Sequence, residues 1–186
     1  MKNNKKIFLN SVVSAFLALR MFLPIIASGQ VSYDKLSATE VLQVWLRSNC
    51  DAGENNSLPE RIKALATEIE PMFINAFREG PSTEEISKVQ NISNKQYETM
   101  QNAIKSGEDF GLKKEEVDIA RSQSLPAFLE NEKNNFLLAY RSQALMGLSI
   151  TGGDAGKNIL RQVSSDEKAP LNSTAKYALK KMESKK

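Results

Sequence analysis

The chain has no histidine and one cysteine, Cys50. The first absence removes the Ser-His-Asp and Cys-His catalytic arrangements, together with the commonest protein ligand for zinc. The second rules out an internal disulfide and a thiolate metal cage. No metal site and no cofactor site is recognised in the sequence. A lone thiolate would have no imidazole as its base, and Cys50 ends an apolar helical stretch, so it reads as a small buried hydrophobe, with an intermolecular disulfide as the alternative. Strand-type alternation is absent as well: no segment keeps a period of two, which leaves an all-α chain. Beyond the first 29 residues no stretch is apolar enough to cross a bilayer.

Charge is unevenly distributed along the chain. The 186 residues include 25 basic and 22 acidic ones, a formal net charge of +3. Lys2, Lys5, Lys6 and Arg20 lie in the first 29 residues, which hold no acid. Taking those four from 25 leaves 21 basic against 22 acidic residues, so the body of the chain carries a net charge of −1. The basic face that phosphate counterion release requires is therefore not indicated, and no nucleic-acid partner is expected.

That same segment has the layout of an export signal. MKNNKK is a basic start, IFLNSVVSAFLAL an apolar core, and Ala27 and Gly29 are the small residues expected before a cut at Gln30. Ile7 to Ile26 is long enough to span a bilayer, but Arg20 and Pro24 count against a stable membrane helix. Residues 1–29 are read as a signal peptide, and 30–186 as a single all-helical domain with no stable membrane span once the signal is removed. The expected site is the periplasm or the exterior of the cell.

Seven helices follow from apolar spacing and end signals. Ser37 and Glu40 make a capping box ahead of Val41, Leu42, Trp45 and Leu46, in a helix reaching about Asn49. Ser57 and Glu60 predict a second box, opening a run from Ile62 to Phe77 with a kink or break at Pro71. The third helix runs from Pro81 to Gly107, the fourth to about Gln123, and the fifth from Ser124 to Ile150. Asp154 is expected to cap a sixth helix carrying Ile159, Leu160 and Val163. Pro170 opens the seventh, whose inner face is Leu171, Ala175, Ala178, Leu179 and Met182.

The C-terminal part repeats. At an offset of 34, Leu137, Ala144, Leu145 and Leu148 fall on Leu171, Ala178, Leu179 and Met182. The small Ala before each bulky residue lets two helices approach closely. With Tyr140-Arg141, the turn at Gly152 and Ile159-Leu160, residues 139–182 resemble a HEAT repeat. The aspartates usual in the loops of that family are only partly present, as Asp154 and Asp166. The resemblance implies antiparallel hairpins in a short solenoid or a compact helical bundle. It also implies a surface for other proteins and no shared active site.

Two patterns suggest chemistry and fall short of it. Gly152-Gly-Asp-Ala-Gly156-Lys157 has Thr151 where a phosphate loop needs its first Gly, and Asn158 where it needs Ser or Thr. The acid pairs Glu84-Glu85 and Glu115-Glu116 stand near helix starts, where the dipole accounts for them. The leading expectation is a small exported protein-binding or scaffold module that is not an enzyme. Lys157, Arg161 and Gln162 are its candidate contacts with another protein, because they project away from Ile159, Leu160 and Val163. The alternatives are a carboxylate-dependent hydrolase or lyase of the cell envelope, and a helical protein anchored by an uncleaved leader. N-terminal sequencing of the exported protein separates the last case. The expected start is Gln30, and a start at Met1 in the membrane fraction would contradict the signal peptide.

Overall fold

The computed structural model describes residues 33–48 and 57–184. The leader with its cut before Gln30, and Cys50, lie outside those residues. Among the described residues the chain is all-α, with eight helices and no strand. They are α1 (Ala38–Arg47), α2 (Leu58–Ala64), α3 (Ala66–Glu79), α4 (Thr83–Lys105), α5 (Lys114–Ser122), α6 (Leu125–Thr151), α7 (Asp154–Ser165) and α8 (Asn172–Glu183).

The second expected helix is two helices, and its break is not at Pro71. The chain resets at Leu65 (φ −102°, ψ 13°), and α3 then runs unbroken through Pro71. Proline clashes with the carbonyl four residues back, here that of Thr67. Pro71 is the sixth residue of α3 and faces solvent. Ser57 also departs from expectation. It is the N-cap of α2, but with αR dihedrals, and its side chain makes no capping bond.

The first expected capping box is present. Glu40 N–H donates to Ser37 Oγ at 3.4 Å, and Ser37 N–H donates to Glu40 Oε2 at 2.9 Å. The Ser37 backbone N–H, and then its hydroxyl, hold the Glu40 carboxyl below the ordinary carboxylate value. A carboxyl with a depressed folded-state pKa stabilises above its unfolded value, and the contribution is lost as pH falls through the folded one. The box therefore works at neutral pH and weakens in acid.

The chain separates into two compact units. One comprises residues 83–134: α4, α5 and the first part of α6. Its core is Met100, Ile104, Val117, Ala120 and Phe128, with the Tyr97 ring tilted against Phe128 at 5.4 Å between centroids. The last carbonyls of a helix lack intrahelical partners, and α4 supplies them for α5. Gln101 Nε2 donates to Ala120 O at 2.8 Å, and Tyr97 Oη donates to Gln123 O at 2.7 Å.

The other unit comprises α1, α2, α3, the later part of α6, α7 and α8, within residues 33–82 and 135–184. Ala144, Leu145, Leu148, Ala178 and Met182 are buried in its single core, with Leu179 packed against it. The two segments related by the 34-residue offset thus share one interior. α1 is held to α6 by reciprocal bonds: Trp45 Nε1 donates to Gln143 O at 2.7 Å, and Gln143 Nε2 donates to Ser48 O at 2.8 Å. Trp45 is buried, so its ring contributes apolar area while its one polar atom is satisfied.

α3 meets α6 at Gly147. A Cβ built there would stand 2.5 Å from Cε1 and Cζ of Phe73, which is fully buried. Only glycine admits the ring at that approach. Trp45→Phe keeps an aromatic ring but removes the indole donor and some volume. It is expected to lower unfolding stability by roughly 1–3 kcal/mol, read from the urea midpoint. An unchanged midpoint would mean that the Trp45–Gln143 contact does not hold α1 in place.

Candidate functional site

α7 carries the three candidate contact residues, and side chains distant in sequence fix both its ends. Its N-cap is Gly153 (φ −73°, ψ 157°), which offers no side chain. Asp154, expected as the cap, is instead the first helical residue and is exposed, where its charge complements the dipole. The capping acceptor comes from α3: Glu70 Oε1 receives the Gly156 N–H at 2.7 Å, across 86 residues of sequence. Gly156 is the third helical residue, the donor that an N-cap side chain would ordinarily satisfy. A Cβ at Gly153 would overlap the Glu70 carboxylate, so this close approach requires glycine there.

This contact also explains the phosphate-loop-like run. A helix N-terminus behind glycines suits an anion, and here the anion is the protein's own Glu70. At the other end of α7, Asn172 Nδ2 donates to Ser164 O and Asp166 O, each at 2.8 Å. The Asn172 amide, which also matches a glycosylation sequon, is committed to capping α7.

With its ends fixed, α7 buries Gly156, Ile159 and Leu160 and turns its other side outward. Arg161 and Gln162 are exposed and Lys157 is half-buried. Helical geometry places Lys157 and Arg161 about 40° apart around the axis, and Gln162 about 100° beyond Arg161. The structure therefore sets the two cations in one row and leaves Gln162 on a different flank. Among the described residues neither cation forms an ion pair.

A further candidate is Tyr177 on α8, 60% exposed. Its position was legible in the sequence. Ala175, Ala178 and Met182 define the inner face of α8, and Tyr177 is about 200° from Ala175. Lys176 and Lys180 flank it and are exposed.

The acid pairs are accounted for at helix starts. Glu84 binds Lys88 at 2.6 Å on an exposed surface. That hydrogen bond and charge hold its carboxyl below the ordinary value. Glu116 accepts the Lys113 N–H at 2.9 Å, ahead of α5. Among the described residues no cluster of three or more His, Cys, Asp or Glu side chains could hold a metal ion. Among the same residues no helix is long and apolar enough to cross a membrane.

No family model, no curated protein and no solved structure matches the chain.

The two roles of α7, held at its ends and open on its outer side, separate by mutation. Glu70→Ala removes the cap and is expected to cost about 1 kcal/mol in urea unfolding. Arg161→Ala and Gln162→Ala, on the exposed side, are expected to stay within about 0.5 kcal/mol of the parent. A cost at Arg161 as large as that at Glu70 would assign Arg161 to holding the fold.

Proposed function

We propose that the chain is a small exported protein-binding or scaffold module, and that its partner surface lies on α7 and α8. The observation that carries the reading is Tyr177, a large aromatic left 60% exposed on a helix whose other side is buried. Tyrosine and arginine are over-represented among the residues that dominate binding energy. Arg161 and Lys157, without ion-pair partners among the described residues, offer charge for orienting an encounter. Gln162 adds an exposed amide, able both to donate and to accept. Export rests on the basic start, apolar core and small residues of the leader. The HEAT-like reading of residues 139–182 rests on the 34-residue offset, and the single core shared by the two related segments supports it.

Site-specific photo-crosslinking in the intact cell envelope tests the surface. A photoreactive residue at Arg161 or Tyr177 is expected to give one discrete adduct with a second protein. The same probe at Lys95, exposed on α4, is expected to give none. Identical products from all three positions, or none from any, would overturn the proposal.

A further inference from the structure

We draw no further inference here: the strongest candidate, the apolar tip of the turn between α4 and α5 where Phe110 stands 48% exposed at positive φ, carries nothing because no feature of the structure shows what covers it.

Discussion

Phe73 against Gly147 is the contact on which the larger unit depends. The ring is fully buried and occupies the space a side chain at 147 would need. Glycine inside a helix costs about 1 kcal/mol relative to alanine. Burying a phenylalanine side chain returns about 1.5–3 kcal/mol, and forcing a methyl group into a filled core costs about 1–3 kcal/mol. Packing therefore outweighs propensity at this position, and the Phe73 ring of α3 can sit directly against α6 at Gly147. The rest of the unit gathers around the same stretch of α6. Trp45 reaches Gln143 O from α1, Ser142 Oγ lies 3.5 Å from Thr174 Oγ1 of α8, and Leu148 lies under Gly156 of α7.

Buried area holds these helices together, while polar contacts set where each one ends. α7 begins where Glu70 can accept the Gly156 N–H, and it stops where Asn172 takes its last carbonyls. α1 is tied at its C-terminal end, where Gln143 supplies a donor to Ser48 O. In each case one element satisfies the unpaired backbone groups of another. A cap of this kind is worth about 1 kcal/mol, less than one buried aromatic. It nonetheless sets where α7 starts and stops, while the burial of Ile159 and Leu160 decides which face turns outward and leaves Arg161 and Gln162 exposed.

Local pattern carried much of this. Apolar spacing locates the helices, Ser37 and Glu40 form the expected box while Ser57 at the same spacing makes no capping bond, and the inner face of α8 carries Ala175, Ala178 and Met182 as expected. What local pattern could not carry was long-range. Glu70 and Gly156 are 86 residues apart, and Trp45 and Gln143 are 98 apart. Asp154 was the natural local choice of cap, and it lost to a distant carboxylate that reaches the helix only because residue 153 is glycine. Pro71 was the natural local choice of break, and the chain resets at Leu65 instead. Tyr177 is the opposite case: helical phase alone places it on the outer side of α8, away from Ala175 and Ala178.

The Phe73 ring is what requires glycine at 147. A double-mutant cycle of Gly147→Ala and Phe73→Leu, followed by urea unfolding, tests it most directly. In the parent, an overpacking cost of about 1–3 kcal/mol offset by a helix-propensity gain of about 1 kcal/mol should leave Gly147→Ala destabilising by up to about 2 kcal/mol. With Phe73→Leu in place the same change should cost far less, giving a coupling of about 1 kcal/mol or more. Two penalties that simply add would contradict the account.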